Sequence, residues 1–203
     1  TRAQLLRSGR ASRRLRIAKA LFLRGALPHL GRLRFGMALL RLYQRSGLQW
    51  LARRSRILKM LPGHLDELDA QLPPLPSRFF GPTPQVYPAR GKARARVALL
   101  SGCVMPLMQA PAMEATVRVL QRNGCDVLVP VGQGCCGALN AHSGDLEMAR
   151  RMARRNIDVF LNTDVDAIVV NSAGCGSAMK EYAELLRDDP QYAEKAHRFS
   201  SMV

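Results

Sequence analysis

Three short apolar runs, each followed closely by glycine and cysteine, are the feature that most constrains the fold of this chain. They occupy residues 97–100, 126–129 and 167–170. Between and after them lie amphipathic stretches that predict helices at 111–123, 144–162 and 177–187. Near-continuous apolar strands that alternate with helices are typical of a parallel sheet with helices on its faces. We therefore predict an α/β fold for this half of the chain, built on a small parallel three-stranded sheet.

Four cysteines follow the three predicted strands. Cys103 comes after the first strand, the adjacent pair Cys135 and Cys136 after the second, and Cys175 after the third. The carboxyl ends of parallel strands meet at one edge of a sheet, and ligands bind there. Flanking glycines allow a close backbone approach to a bulky ligand, and thiolates in this number suit an iron–sulfur cluster or zinc. We predict that the four thiols converge at this edge and hold a metal centre.

The cysteines and a nearby histidine also have interpretations other than metal ligation. Packing alone does not explain Cys135 and Cys136, because neighbouring side chains usually point to different places. Thiol–disulfide catalysis by this pair is a further hypothesis, disfavoured by the strain of a vicinal disulfide. Cys125 opens the second strand and is interpreted as a small buried hydrophobe. His142 is a further candidate ligand, although a hydrogen bond at the start of a helix is the favoured interpretation.

The cysteine count bears on the redox setting. Five cysteines is an odd number, and the residues present show no secretory signal pattern. We therefore expect metal ligation or redox chemistry rather than a disulfide framework.

The positive charge of the chain is concentrated in its first half. Residues 1–96 contain 21 Lys and Arg against 3 Asp and Glu, whereas residues 97–203 contain 10 against 12. Amphipathic patterns predict helices over 3–26 and 33–60. Such a region can be a solvated helical linker that packs on a neighbouring domain, the favoured interpretation, or a surface that contacts anionic lipid. Nucleic-acid binding is least favoured, since no recognition motif accompanies the charge.

A proline-rich stretch separates the two halves. Six prolines fall between residues 72 and 88, and proline at this density predicts an extended linker rather than a regular element. We therefore predict three parts: a basic helical segment over 1–70, a linker over 71–95 and a cysteine-rich domain over 96–203. No run reaches the ~20 apolar residues that a membrane span requires.

The cysteine spacing resembles that of the cysteine-rich CCG domain, which heterodisulfide reductase subunits share with related oxidoreductases. Thirty-one residues separate Cys103 from Cys135, and 38 separate Cys136 from Cys175. The closer resemblance is to the glycolate oxidase iron–sulfur subunit family. It is carried by Val-Ala-Leu-Leu-Ser-Gly-Cys-Val at 97–104, Gly-Cys-Cys-Gly-Ala-Leu at 134–139, Asn-Ser-Ala-Gly-Cys-Gly at 171–176 and Lys-Glu-Tyr at 180–182. The basic helices before a proline-rich linker are also similar to this family. The family resemblance as a whole implies a flavodoxin-like sheet.

Two departures from the family pattern stand out. The full CCG motif ends Cys-x-x-Cys, whereas Ala178 stands here in place of the last cysteine. The Cys-x-x-Cys-x-x-Cys runs of paired ferredoxin-type clusters are also missing from this sequence. The resemblance therefore implies a middle piece of a longer protein, without its ferredoxin-like domain and without a second CCG domain.

The resemblance implies an electron-transfer role. The chain would be a non-catalytic iron–sulfur subunit of a flavin-linked glycolate (2-hydroxy acid) oxidase or dehydrogenase. Partner flavoprotein subunits would oxidise glycolate or lactate, and a cluster of [4Fe–4S] type held by the four cysteines would pass electrons to an acceptor. The protein would be cytoplasmic, with its basic helices docked on partner subunits or on the inner membrane. The alternative is a structural module for subunit assembly that binds zinc or no metal.

Overall fold

The N-terminal part of the chain forms a series of helices in the computed structural model, which describes residues 13–61 and 63–203. They are α1 (Arg13–Ala20), which continues into a π-helical segment (Leu21–Ala26), α2 (Leu30–Arg45), α3 (Leu48–Arg54), α4 (Ile57–Met60) and α5 (Leu65–Ala70). The helix predicted over 3–26 is confirmed from residue 13 onward, and its first ten residues lie outside the described residues. None of the helices in the described part of the chain is both long and apolar enough to cross a bilayer.

The second predicted helix, over 33–60, is divided into three. Gly47 has a φ of 82° just after the end of α2, and Arg56 has a φ of 57° just before α4. Both values lie in the left-handed region, which interrupts the helical hydrogen-bond ladder. The single long helix was therefore wrong, although the helical content of the segment was predicted.

A four-stranded sheet forms the centre of the remaining chain. Its strands are β1 (Thr83–Tyr87), β2 (Ala95–Leu99), β3 (Cys125–Val129) and β4 (Ala167–Val169), in the spatial order β1-β3-β2-β4. β2 pairs in parallel with both β3 and β4, which confirms the predicted α/β fold with a mainly parallel sheet. The sheet has one strand more than predicted.

The additional strand, β1, lies inside the stretch that we predicted to be a linker. It pairs antiparallel with β3 at the edge of the sheet, with Thr83 opposite Val129 and Tyr87 opposite Val127. Proline is tolerated on an edge strand because one side of such a strand makes no ladder bonds, so Pro84 does not prevent the pairing. The extended backbone was predicted correctly, and the pairing was missed because its partner lies about 40 residues further along the chain.

Seven helices in the described residues follow β2. They are α6 (Met105–Met108), α7 (Ala110–Arg122), α8 (Ala138–His142), α9 (Leu146–Leu161), α10 (Ala173–Lys180), α11 (Tyr182–Leu185) and α12 (Ala193–Met202). α7 and α9 match two of the predicted helices closely. The third predicted helix, over 177–187, begins earlier and is divided into α10 and α11, so Cys175 lies inside a helix rather than in a loop.

Each face of the sheet carries its own apolar core. Side chains alternate between the faces of a strand, so Val97 and Leu99 of β2 pack on one side, and Ala98 and the following Leu100 on the other. The first side is closed by α7 and Phe80. The second side carries the larger core, which includes α9, α12 and the buried aromatic residues Phe160, Tyr182 and Phe199.

The π-helical segment at the N-terminus packs against this larger core. Leu27 is completely buried in it, and the carbonyl oxygen of Leu23 accepts a hydrogen bond from Asn140 Nδ2 at 3.1 Å. Arg24 forms an ion pair with Asp145, with 2.7 Å between Nε and Oδ2. The helical segment therefore contributes side chains to the core of the sheet domain. The division into parts at 1–70, 71–95 and 96–203 remains our proposal.

Candidate metal centre

The four predicted ligands line one cavity at the carboxyl edge of the parallel strands. Cys103 follows β2, Cys135 and Cys136 follow β3, and Cys175 lies in the first turn of α10, just after β4. The cavity has a volume of about 320 Å³ and a mainly apolar lining. Cys103, Cys135 and Cys136 are each at most 8% exposed, and Cys175 is partly exposed. The structure therefore brings together the thiols of three separate chain segments, and their role as ligands stays a prediction.

The thiols interact in the order Cys103, Cys135, Cys136, Cys175. A hydrogen bond with Cys135 lowers the pKa of Cys103, against the effect of burial. The same hydrogen bond raises the pKa of Cys135 to about 12, and a hydrogen bond with Cys135, reinforced by burial, raises the pKa of Cys136 to about 11. A hydrogen bond with Cys136, followed by burial, raises the pKa of Cys175. Most of these thiols therefore stay protonated while no metal is bound, and metal binding would release their protons.

The donor set and the space both suit an iron–sulfur cluster. All four donors are soft sulfur atoms, which select iron–sulfur clusters, zinc or copper(I) over hard cations. The cavity is about ten times the ~30 Å³ that one water molecule occupies in the liquid. Within the described ranges, no three His, Cys, Asp or Glu side chains are grouped as ligands of a single metal ion would be. The thiols neighbour one another in pairs along the row from Cys103 to Cys175.

Cys125 and His142 lie in different surroundings. Cys125 opens β3 and packs, half-buried, against the core on the opposite face of the sheet. It lies outside the cavity, as expected for a small hydrophobe. His142 is the last residue of α8, not the first residue of a helix, and its side chain lines the cavity beside the cysteines.

Sequence reasoning missed Asn156 and gave Tyr182, part of the Lys-Glu-Tyr motif, no role at the cysteines. Asn156 of α9 is completely buried, and its side chain contacts the backbone at Gly134 and Cys135. The hydroxyl of Tyr182 donates to the carbonyl oxygen of Cys136 at 2.8 Å. A signal for Asn156 was present in the sequence, because it is a polar residue within the otherwise apolar buried stripe of its helix.

Gln133 joins two of the cysteine loops. Its Oε1 atom accepts a hydrogen bond from the backbone N–H of Ser101 at 2.7 Å, two residues before Cys103. Its Nε2 atom donates to the carbonyl oxygens of Leu99 and Pro130. The loops after β2 and β3 are therefore connected through one buried side chain.

Comparison with known families agrees with this geometry. A family model described as "Glycolate oxidase iron-sulfur subunit, linker region" matches residues 14–72, and one described as "Cysteine-rich domain", the CCG domain, matches residues 97–180. Over these two regions the chain resembles glycolate oxidase iron–sulfur subunits and carries a CCG domain. The two matches cover the basic helices and the four cysteines, so the resemblance seen in the sequence is confirmed on both sides of the proline-rich stretch.

Individual relatives show the same resemblance. The "Probable glycolate oxidase iron-sulfur subunit" of Bacillus subtilis (strain 168) is 44% identical over 173 residues, which is 85% of this chain and 39% of the relative. The glycolate oxidase iron–sulfur subunit of Escherichia coli (strain K12) is 37% identical over 113 residues, covering 54% of this chain and 28% of the relative. Lactate utilization protein A of Bacillus licheniformis is 37% identical over 105 residues, covering 52% and 43%.

The matched region spans between about a quarter and a half of the length of these relatives. No solved structure matches the chain significantly.

Proposed function

We propose that this chain is the cluster-bearing part of an electron-transfer subunit in a flavin-linked 2-hydroxy-acid oxidase. The observation that carries the proposal is that Cys103, Cys135, Cys136 and Cys175 all line one mainly apolar cavity. Relatives named as glycolate oxidase iron–sulfur subunits support the substrate class, and those named lactate utilization protein A support a related one.

The cysteines would hold an iron–sulfur cluster, of [4Fe–4S] type, at this edge of the sheet. Such a cluster, when bound, accepts and donates single electrons. The protein supplies four sulfur donors on three separate chain segments and a mainly apolar wall that limits water. One of the donors, Cys175 at the end of the row, is partly exposed. The burial of a cluster and the hydrogen bonds to its sulfur atoms both change its reduction potential.

The substrate chemistry is proposed to lie in another subunit. A flavoprotein partner would oxidise glycolate or lactate and pass electrons to this chain, and from it to an acceptor. The chain itself would be non-catalytic.

Anaerobic reconstitution of the full chain tests the metal site. We expect iron and acid-labile sulfide to be taken up together, with a visible absorption that dithionite bleaches. Cys135→Ser and Cys136→Ser should each remove most of the iron, whereas Cys125→Ser, a matched cysteine outside the cavity, should keep it. Uptake of zinc alone, or of no metal, would favour the structural assembly module. Reactivity of the Cys135–Cys136 pair toward disulfides without metal would favour thiol–disulfide chemistry.

The basic helices are proposed to dock the chain on partner subunits or on the inner face of the cytoplasmic membrane. On α2, Phe35, Leu39 and Leu42 are all more than half exposed and lie at helical spacing, so they form one apolar stripe. Trp50 of α3 is 68% exposed, and arginines surround both helices. An exposed apolar stripe among basic side chains is the pattern of a helix that lies on anionic lipid.

Vesicle binding distinguishes docking on the membrane from docking on partner subunits. If the helices contact lipid, the chain should sediment with vesicles that contain anionic lipid, and binding should weaken as salt rises. Leu39→Ser should reduce binding more than Leu146→Ser, which changes an exposed leucine outside the helical segment. Absence of salt-sensitive binding would leave partner subunits as the proposed surface.

A further inference from the structure

We propose that Asn156 and Tyr182 are positioning residues that fix the backbone of the vicinal cysteine pair so that both thiols face the cavity. This inference rests on the proposed function, because it assigns a role toward the cluster to residues that do not line the cavity. We call the two side chains and their hydrogen bonds the Asn156–Tyr182 clamp.

Asn156 forms three hydrogen bonds in this clamp. Its Oδ1 atom accepts from the backbone N–H of Gly134 at 2.9 Å. Its Nδ2 atom donates to the carbonyl oxygen of Cys135 at 3.1 Å and to the hydroxyl of Tyr182 at 3.2 Å. An amide side chain has two donor hydrogens and one acceptor oxygen, so Asn156 uses both of its donors and its acceptor here.

Tyr182 completes the clamp from another part of the chain. Its hydroxyl accepts from Asn156 and donates to the carbonyl oxygen of Cys136 at 2.8 Å. The ring is 1% exposed and stacks on Phe199, with 5.2 Å between ring centroids. The hydroxyl is therefore held in place by a rigid, fully packed ring.

The burial of these groups indicates that they serve the cysteine loop. Asn156 is the one amide on a helix face otherwise buried through Ala149, Met152, Ala153, Ile157 and Phe160. A buried amide or hydroxyl without partners costs several kcal/mol, so such groups persist where they are fully hydrogen-bonded. Here every partner outside the clamp is a backbone atom of residues 134–136.

The consequence for the thiols follows from backbone geometry. Adjacent side chains normally diverge, yet Cys135 and Cys136 both line the cavity. Hydrogen bonds to both of their carbonyl oxygens restrict the peptide planes that follow Cys135 and Cys136, and so both planes around Cys136. The bond from the Gly134 N–H restricts the plane before Gly134, on the other side of the pair. The clamp therefore orients two donors at once, in the way that outer-shell partners orient metal ligands.

Tyr182→Phe is the principal test, because it removes the hydroxyl and keeps the packed ring. Tyr192→Phe is a matched control. Its hydroxyl donates to Asp158 Oδ2 at 2.8 Å, on the same helix as Asn156 but away from the cysteine loop. Asn156→Ser is a second variant of the clamp, and circular dichroism of each chain verifies that the fold is retained.

The first measurement uses the chain without metal. Hydrogen exchange of peptides that cover residues 132–139 should be about 5- to 30-fold faster in Tyr182→Phe and Asn156→Ser than in the unmodified chain. Tyr192→Phe should exchange at the unmodified rate in this segment. Equal exchange in all four chains would overturn the clamp, whatever the metal content of the protein.

The second measurement uses the reconstituted chain. We expect both clamp variants to hold iron about 10- to 100-fold less tightly against a chelator, and to show an altered EPR spectrum and midpoint potential. Tyr192→Phe should match the unmodified chain in all three. Clamp variants that match the unmodified chain in iron affinity, EPR spectrum and midpoint potential would overturn the inference. Failure of the unmodified chain to take up iron would instead overturn the proposed function, and the exchange measurement would still decide whether the clamp holds the loop.

Discussion

Single buried side chains determine how the cysteine loops are held. Gln133, which is 2% exposed, joins the loop before Cys103 to the loop before Cys135 through three hydrogen bonds to backbone atoms. Ala178 lies one helical turn after Cys175 and is half-buried against the larger core. The first residue supports the site, and the second occupies the position at which the family pattern has a further thiol.

Replacement of Gln133 tests the connection between the loops. In Gln133→Ala the Ser101 N–H and two carbonyl oxygens lose their partner in a buried environment, so we expect the free energy of unfolding to fall by about 2 to 3 kcal/mol. Urea denaturation followed by circular dichroism measures the change. Gln85→Ala, on the exposed side of β1, should change it by no more than about 0.5 kcal/mol. Equal effects of the two substitutions would contradict this role for Gln133.

A cysteine at position 178 should strengthen metal binding. Residues three apart on a helix share a face, so the new thiol of Ala178→Cys would lie beside Cys175. We expect slower loss of iron from the reconstituted chain to a chelator, with little change in stability because the two side chains are similar in size. Ala115→Cys, which adds a half-buried thiol on α7 outside the cavity, is the control. If both variants lose iron at the same rate, position 178 is not adjacent to the cluster.

At the scale of elements, a buried carboxylate joins three of the N-terminal helices. Asp69 of α5 is 6% exposed and accepts hydrogen bonds from Tyr43 of α2 at 3.1 Å and from Gln49 of α3 at 3.0 Å. Arg53 of α3 forms an ion pair with the same carboxylate. These short helices have little independent stability, so their arrangement depends on this group.

The stability of these helices should therefore depend on pH. Burial alone would raise the pKa of Asp69, but hydrogen bonds from Arg53, Gln49 and Tyr43 outweigh it and hold the pKa below its ordinary value. A lowered native pKa contributes stability that is complete above the unfolded value of ~3.9 and is lost as pH falls through the native pKa. The stability difference between the unmodified chain and Asp69→Asn should thus be constant from about pH 7 to pH 5 and shrink below about pH 4.

The fluorescence of Trp50 measures this difference, because the sole tryptophan of the chain lies in α3 beside Gln49. Asp66→Asn, also on α5, is the control, and its stability relative to the unmodified chain should change little. A difference for Asp69→Asn that persists unchanged to pH 3 would show that the ionised carboxylate does not stabilise the helices.

At the scale of the whole molecule, the basic helical segment and the cysteine-rich domain share one core. Leu27 is 0% exposed among residues of α9 and α12, and the Asn140 side chain that donates to Leu23 belongs to α8, which also lines the cavity. The linker family match and the cysteine-rich family match thus describe parts of the chain that are in direct contact.

Removal of Leu27 should destabilise the sheet domain as well as the helical segment that ends just before it. We expect Leu27→Ala to cost about 3 kcal/mol, the usual cost of a cavity at a fully buried leucine. Hydrogen exchange of peptides from β2 and β3 should become faster by the factor that corresponds to this loss of unfolding free energy. Leu42→Ala, at a position 61% exposed, should have almost no effect. Unchanged exchange in the sheet of Leu27→Ala would show that the two parts fold independently.

The sequence by itself determined the parallel strands and the place of the thiols. Apolar runs of four residues, helical periodicity and the glycines around Cys135 and Cys136 are local patterns, and the right-handed crossover rule places successive strand ends on one edge. Three of the four strands, two long helices and the convergence of four cysteines on one cavity followed from these patterns.

Only the tertiary structure decided which distant groups meet. The pairing of β1 with β3, the burial of Leu27, the hydrogen bonds of Gln133 with β2 and the loop after it, and those of Asn156 each join residues more than 20 positions apart. Such contacts depend on the packing of the whole chain, because the local sequence of a polar or proline-rich segment does not predict which distant residue it contacts. Local periodicity therefore predicted where the thiols lie, and long-range packing decided which side chains hold them there.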